Sequence, residues 1–158
     1  MGKPTNINIR GLRGDRRAKE LEGLDLSRVL ILAIDSARDF PKALICDYFG
    51  KVLEKPFFFA VNSEGMFTLH KKVQHWVSCI KALRVFVGIE VAGCYHDAIG
   101  KALDKLGYEV NQVNSFTTAS ESKKMLDFSK TDDKDLPAIA QAIIAPKWGI
   151  AQTGYRLL

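Results

Sequence analysis

Four carboxylates occur where a site for divalent metal ions would need them. Asp35 and Glu90 each close a continuous apolar run, "RVLILAID" and "RVFVGIE", while Asp132 and Asp135 lie three residues apart in "SKTDDKDLPA". Carboxylate oxygens suit hard cations, Mg²⁺ above all, with Mn²⁺ as a substitute. Two such ions, about 4 Å apart, clamp the attacking and leaving oxygens of an in-line phosphoryl displacement. If the four residues converge, they therefore predict phosphoryl-transfer chemistry.

The aspartate cluster also has a simpler interpretation as the start of a helix. Thr131 can serve as an N-cap, and acidic side chains in a first turn are stabilised by the helix dipole. Within a helix, Asp132 and Asp135 share one face, whereas Asp133 points elsewhere and is expected to cap or to be solvated. Pro137 is tolerated in a first turn but not deeper. If Pro137 itself starts the helix, Asp135 becomes the cap and turns away from Asp132.

The apolar pattern predicts the elements that would position these acids. Strands are expected at 28–35, 42–48, 51–61, 84–90 and 108–114, and helices from Met66 to Leu83, from Tyr95 to Gly107 and over 138–145. The continuous apolar runs are typical of strands buried on both faces. Because Pro56 cannot donate a ladder hydrogen bond, the third strand should lie at an edge.

The order of these elements predicts the fold. A meander of three strands is followed by two helix-linked crossovers, which are right-handed when the strands they join are parallel. The result is an α/β protein with the ribonuclease H-like (RuvC-like) fold, a five-stranded mixed sheet flanked by helices, with the first strand central. Asp35 and Glu90 then end neighbouring parallel strands at the edge where α/β sheets bind ligands. Two carboxylates so placed repel unless a cation lies between them or one takes up a proton.

Composition favours a partner with negative charge. The chain has 158 residues, a net charge of +5 and 47% hydrophobic residues, and its pI is about 9.1. This length suits one domain with a substantial core, and the positive charge favours nucleic acid. The sequence has no apolar run long enough for a membrane span and no secretory signal. Cys46, Cys79 and Cys94 lack CxxC spacing and are expected to be core or near-surface thiols in a reducing compartment. A cytoplasmic location is therefore expected.

The N-terminal segment differs from the rest. Residues 1–27 are expected to form a basic, flexible arm whose arginines contact phosphates without fixed geometry, and a simple solvated tail is the alternative. The arginines are Arg10, Arg13, Arg16 and Arg17.

Four blocks resemble the N-terminal RuvC-like domain of the DEDD-type insertion-sequence transposases, relatives of the pilin-gene DNA invertases. They are "ILAIDSARD" (31–39), "FAVNSEGM" (59–66), "GIEVAGCYHDAIGKALDKLGYEVNQVN" (88–114) and "SKTDDKDLPAIAQ" (129–141). Together they lie within 28–150, the expected catalytic domain. The order and spacing of the set are more specific than any single block.

The resemblance implies an acidic tetrad of Asp35, Glu90, Asp132 and Asp135 that binds two Mg²⁺ ions. It implies DNA strand cleavage and exchange in transposition or site-specific recombination, in some members guided by a structured RNA, and a homo-oligomer. Family members continue into a second domain that supplies a serine nucleophile, so 151–158 is expected to be a truncated tail. The chain alone is then expected to bind metal and nucleic acid without completing recombination. Two further departures are Cys94, where a glycine is common, and Pro137.

Several other basic residues are candidates for nucleic-acid contact beside these acids. They are Arg38, His96, Lys123, Lys124, Lys130 and Lys134. Ser36 is expected either to cap or to contact the scissile strand. His70 and His75 are expected to be structural or exposed. Trp76 and the "FFF" run at 57–59 are expected in the core rather than as platforms for base stacking.

Two other functions stay open. A stand-alone RuvC-like nuclease or Holliday-junction resolvase would use the same chemistry. A non-catalytic nucleic-acid-binding remnant would keep the acids without assembling them, since one fold hosts many functions.

Overall fold

The structure, a computed structural model, describes residues 22–36, 40–91, 94–113 and 135–144. Within these ranges the chain forms five strands and three α-helices. In chain order they are β1 (Val29–Asp35), β2 (Lys42–Asp47), β3 (Val52–Phe58), α1 (Ser63–Ile80), β4 (Arg84–Glu90), α2 (His96–Lys105), β5 (Glu109–Val113) and α3 (Asp135–Ile144). No helix of the described ranges is both long and apolar enough to cross a membrane.

The strands form one mixed sheet in the order β3-β2-β1-β4-β5. β2 lies antiparallel to both β1 and β3, whereas β4 lies parallel to both β1 and β5. A meander joined to two parallel strands through crossovers is the ribonuclease H-like arrangement, and the prediction of that fold is confirmed. β1 is central and buried along its whole length, as its continuous apolar run predicted.

The β2–β3 hairpin and the edge position of β3 follow from local chemistry. The Asp47 carboxylate accepts hydrogen bonds from the backbone N–H groups of Phe49 (2.9 Å) and Lys51 (2.8 Å), and Gly50 takes a φ of 91°. Such positive φ values suit glycine. β3 is an edge strand, as Pro56 predicted. Pro56 lies where the pairing register with β2 shifts, which is how an edge accommodates a missing donor.

Helices cover both faces of the sheet. One apolar cluster joins the sheet to α3 and includes Val29, Ile31, Ala33, Leu44, Phe86, Ile139 and Ile143. The other cluster joins the opposite face to α1 and α2 and includes Leu30, Leu32, Ile34, Leu69, Val73, Ile99 and Leu103. We call these the α3 face and the α1/α2 face. Alternate residues of β1 belong to opposite faces, as a strand buried on both sides requires.

The predicted end of the first helix is wrong by a few residues. α1 begins after Asn62, whose side chain accepts a hydrogen bond from the Gly65 N–H at 2.7 Å, and it ends at Ile80. Lys81 takes the left-handed conformation with φ 52°. The Leu83 N–H then donates to the Arg28 carbonyl at 2.7 Å, so Leu83 belongs to the connection that enters the sheet.

The prediction that the "FFF" run lies in the core is wrong for Phe58. Phe59 is buried and Phe57 packs against the α1/α2 face, but Phe58 is 59% exposed. Strand alternation places Phe58 on the other side of the edge strand. Trp76 is partly buried, and its indole N–H donates to Glu54 at 2.8 Å.

The three cysteines are free thiols, with Cys46 buried and Cys79 and Cys94 exposed. Burial raises the pKa of the Cys46 thiol to about 12, with Asp47 adding to the shift, so this thiol stays protonated near neutral pH.

Candidate metal centre

The carboxylates of Asp35 and Glu90 end neighbouring strands in register. β1 and β4 pair in parallel with Ile34 opposite Ile89, so Asp35 and Glu90 are the next residues of their strands. Neighbouring strands lie about 4.8 Å apart. Both acids are buried, with exposed fractions of 4% for Asp35 and 8% for Glu90. The two residues thus lie side by side at the carboxyl edge of the sheet, as the sequence predicted.

Both side chains belong to the α3 face. Ala33, two residues before Asp35, packs in the α3 cluster, and so does Phe86, four residues before Glu90. Because side chains alternate along a strand, Asp35 and Glu90 continue these two rows. The apolar rows therefore end in carboxylates on the side where α3 packs.

Gly88 lets α3 pack closely on β4. A β-carbon at Gly88 would lie 2.6 Å from Cγ1 of Ile143 and 3.3 Å from Cγ2 of Ile139. Such separations are too short for ordinary packing, so only glycine lets the helix rest directly on β4 at this point. Gly88 lies two residues before Glu90 on the same face, and a larger residue there would move α3 away from the strand that carries the acid.

Ser36 fixes the ends of the two strands. This side chain is buried, and its hydroxyl donates to the backbone carbonyl of Glu90 at 3.1 Å. The N–H of Val91 donates to the carbonyl of Val113 at 2.8 Å, which ties β4 to β5 in the same way. Ser36 thus ties the end of β1 to the end of β4, and the cap or substrate contact that the sequence suggested stays a prediction. A small hydroxyl directly after the acid that ends a central strand was the available signal.

One cationic residue faces this pair from the next strand. Lys42 lies directly opposite Asp35 in the antiparallel ladder of β1 and β2. Buried carboxylates require a compensating cation or a proton. Two oxygen donors of this hardness fit a divalent ion such as Mg²⁺ or Mn²⁺.

The remaining predicted ligands fall at or beyond the limits of the described residues. Asp132 and the side chain of Asp135 lie outside them. The backbone of Asp135 begins α3, so Pro137 falls within the first turn, where proline is tolerated, and does not itself start the helix. Within the described ranges, no group of three or more His, Cys, Asp or Glu residues could hold a metal ion.

Of the predicted nucleic-acid contacts, only His96 is described. It begins α2, which follows β4, and is half-buried. The other predicted contacts lie outside the described residues: Arg10, Arg13, Arg16, Arg17, Arg38, Lys123, Lys124, Lys130 and Lys134. The two other histidines are structural or peripheral as predicted. His70 Nδ1 lies 2.7 Å from the Tyr108 hydroxyl, and His75 contacts Trp76 edge-on.

Comparison with known proteins finds similarity among solved structures. No protein-family model matches the chain, and no curated protein matches it. Among solved structures, it is similar to T. thermophilus RuvC in complex with a Holliday junction substrate, at 13% identity. The alignment covers 78% of this chain and 98% of that chain, with a TM-score of 0.49. Similarity at this level does not indicate an activity. The assignment of the fold is based on the strand order and register instead.

Proposed function

We propose that this chain is the catalytic domain of a DNA transposase or site-specific recombinase that carries out Mg²⁺-dependent phosphoryl transfer. The observation behind the proposal is the pair of buried carboxylates, Asp35 and Glu90, in register at the carboxyl edge of a ribonuclease H-like sheet. The resemblance of four sequence blocks to DEDD-type transposases favours recombination over other phosphoryl-transfer reactions.

In this proposal Asp35 and Glu90 hold Mg²⁺ together with Asp132 and Asp135. Bound Mg²⁺ would act as a Lewis acid and neutralise charge on the transferring phosphate. The chain's own contribution is rigidity. Ser36 holds the end of β4 through the Glu90 carbonyl, and Gly88 lets α3 pack against the strand that carries Glu90. Catalytic groups held by packed neighbours need little reorganisation when substrate binds.

The proposal extends to the rest of the chain and to its partners. Residues 28–150 would form the catalytic domain, and the basic segment 1–27 would contact DNA phosphates or a structured guide RNA. Recombination in the resembling family also requires a second domain with a serine nucleophile and an oligomer, and these are part of the proposal.

The first test measures Mn²⁺ binding. The electron paramagnetic resonance signal of free Mn²⁺ serves as the readout, because it falls as the ion binds. Wild-type protein should bind the ion, whereas Asp35→Asn and Glu90→Gln should each weaken binding at least about tenfold because a charged ligand is lost. Glu109→Gln is the matched control, because it removes the same charge from a different place in the sheet. The native Glu109 lies at the start of β5 and pairs with Arg84 at 2.7 Å. Equal affinities for wild type and Asp35→Asn would refute the metal site.

A second test asks what the site does to DNA. Labelled duplex and four-way junction DNA are incubated with the protein and Mn²⁺, and the products are separated on denaturing gels. Nicking that Asp35→Asn abolishes would support phosphoryl transfer, and junction cleavage in symmetric positions by this chain alone would replace the recombinase with a resolvase. DNA binding that is indifferent to both Mn²⁺ and Asp35→Asn would replace it with a binding module.

A further inference from the structure

The row of residues that contains the two acids continues across the sheet. Asp35 on β1 lies opposite Lys42 on β2, and Lys42 lies opposite Phe58 on β3. Directly opposed residues of antiparallel strands project to the same side of a sheet. The row Glu90–Asp35–Lys42–Phe58 therefore runs along one edge of the α3 face, from the middle of the sheet to its outer strand.

The outer half of the row pairs a cation with an exposed ring. The Lys42 ammonium lies 4.9 Å from the centroid of the Phe58 ring. Phe58 is nevertheless 59% exposed, and Phe40, two residues before Lys42, is 67% exposed. Single exposed apolar residues are ordinary in proteins. What distinguishes Phe58 is that the lysine beside it stands opposite Asp35.

We propose that Lys42 and Phe58 form a contact for single-stranded DNA that flanks the reacting phosphate, with Phe58 stacking on a base and Lys42 binding a phosphate. This inference rests on the proposed function, because it assigns the strand that would enter the metal centre. Proteins that hold single strands combine a cation for the backbone with an aromatic face for bases.

The spacing along the row suits this role. Phe58 lies two strands from Asp35, or about 10 Å at the usual strand separation. A stacked nucleic-acid strand advances about 3.4 Å per nucleotide, so the ring would meet a base a few nucleotides from a phosphate at Asp35. Nucleic acid is also the class of partner that the net charge of +5 favours.

The chain contains a matched control on a different element. Phe67, on α1, is 60% exposed, and the Lys71 ammonium lies 5.2 Å from its ring centroid. The pair has the same chemistry and nearly the same exposure as Lys42 and Phe58. It differs in position, because α1 packs on the opposite face of the sheet from the acids. Any non-specific effect of losing an exposed Lys–Phe pair should appear equally at both places.

The test measures the affinity for a labelled single-stranded thymidine oligonucleotide by fluorescence anisotropy. All variants are made in the Asp35→Asn background of the full 158-residue chain so that no strand is cut. Phe58→Ala should weaken binding about tenfold, as the loss of one stacking contact does, and Phe58→Trp should restore it. Lys42→Gln should lower the slope of log affinity against log salt by about 1, as expected for one phosphate contact. Phe67→Ala and Lys71→Gln should change neither quantity.

Photocrosslinking gives a readout that does not depend on affinity. An oligonucleotide that carries 5-iododeoxyuridine should crosslink to the peptide that contains Phe58. Unchanged affinity in Phe58→Ala, equal losses in Phe58→Ala and Phe67→Ala, or crosslinks only elsewhere would overturn the proposal. So would a result in which Phe58→Ala spares DNA binding but abolishes self-association, because the ring would then serve a protein contact. Metal binding is measured separately, in protein that keeps the native Asp35. The stacking contact can therefore be confirmed while the catalytic proposal fails, and the catalytic proposal can be confirmed while the stacking contact fails.

Discussion

The carboxylates that end β1 and β4 differ in burial from the polar side chains of the α1/α2 face. On the α1/α2 face, polar side chains lie at the periphery and bond to each other. The Tyr108 hydroxyl contacts both His70 Nδ1 (2.7 Å) and Gln74 Nε2 (2.9 Å), and Glu54 accepts from Trp76 and Lys72. On the α3 face, two carboxylates are buried side by side at the end of apolar rows.

In the proposed function, this difference separates stability from function within one sheet. Paired polar groups at a periphery stabilise a fold modestly, and their loss leaves partners unsatisfied. Two adjacent buried carboxylates repel each other unless a cation or a proton compensates them, so in the proposed function Asp35 and Glu90 serve metal binding rather than stability. Substitutions on the α1/α2 face should therefore lower the free energy of unfolding, whereas substitutions of the acids should lower activity and leave that free energy intact.

The largest expected effect comes from Asp35→Asn. We expect DNA cleavage to fall at least about 100-fold, since a metal ligand is worth several kcal/mol in the transition state. The free energy of unfolding in urea without metal should change by less than about 1 kcal/mol, because asparagine keeps the size of the aspartate side chain and its ability to hydrogen-bond. A fall of more than about 1 kcal/mol would instead make Asp35 a structural ion-pair partner. Glu109→Gln should show the reverse pattern, full activity with lower stability, because it leaves Arg84 without its carboxylate.

Two glycines allow the faces to be compared by the same substitution. At Gly65, in the first turn of α1, a β-carbon would lie 1.9 Å from the backbone oxygen of Ala60, and this atom cannot move unless the whole strand-to-helix junction moves. At Gly88 the nearest atom, at 2.6 Å, belongs to the side chain of Ile143. We expect Gly65→Ala to cost about 3 kcal/mol and Gly88→Ala about 1 to 2 kcal/mol in urea unfolding.

Metal affinity should rank the two glycine variants in the opposite order. Gly88→Ala shifts α3 relative to Glu90 and should weaken Mn²⁺ binding, whereas folded Gly65→Ala should bind Mn²⁺ like wild type. Wild-type Mn²⁺ affinity in Gly88→Ala would mean that the position of α3 does not matter to the site.

Much of the fold could be predicted from the sequence because its strands are nearly continuous apolar runs. β1 and β4 need burial on both faces, and Pro56 restricts β3 to an edge, so the strand order follows with few alternatives. The pairing of Asp35 with Glu90 then follows from topology alone. What could not be predicted depends on single backbone events. The left-handed Lys81 ends α1 before Leu83, and the register shift at Pro56 decides which phenylalanine of three faces solvent.

The candidate site was less predictable than the sheet. Ser36 acts on a backbone carbonyl of another strand, 54 positions away, and side-chain chemistry alone does not reveal such a contact. Asp132 belongs to a segment outside the described residues, so its role stays a prediction. Gly88 lies within an apolar run, and the sequence alone does not show why a glycine is needed there. The reason is the close packing of α3 on β4 at this position.

A smaller effect is expected from Tyr108→Phe. The hydroxyl bridges His70 on one side and Gln74 on the other, and the ring is buried in the α1/α2 face. Its removal leaves two polar groups of α1 without this partner and should cost about 1 kcal/mol in urea unfolding. Mn²⁺ affinity should be unchanged. Lower affinity would mean that the two faces are coupled, contrary to the separation drawn above.

The smallest expected effect is the pH dependence that Glu54 contributes. The hydrogen bond from the Trp76 indole, aided by Lys72, holds the pKa of the Glu54 carboxyl below its usual value. A lowered folded-state pKa stabilises the protein above the unfolded-state pKa, and that stabilisation is lost as pH falls through the folded-state value. Wild type should therefore lose more stability than Glu54→Gln between about pH 5 and pH 3, by less than about 1 kcal/mol for a partly exposed group.

Urea unfolding at several pH values measures this difference, with Glu22→Gln at an exposed position as the control for lost charge. Identical pH profiles for wild type and Glu54→Gln would mean that the hydrogen bonds of Glu54 do not stabilise the α1/α2 face. A steeper loss in wild type would support the pattern argued for the polar contacts of that face, because the Glu54 carboxylate would then be held in hydrogen bonds that stabilise the fold, whereas the role proposed for Asp35 and Glu90 is to bind metal.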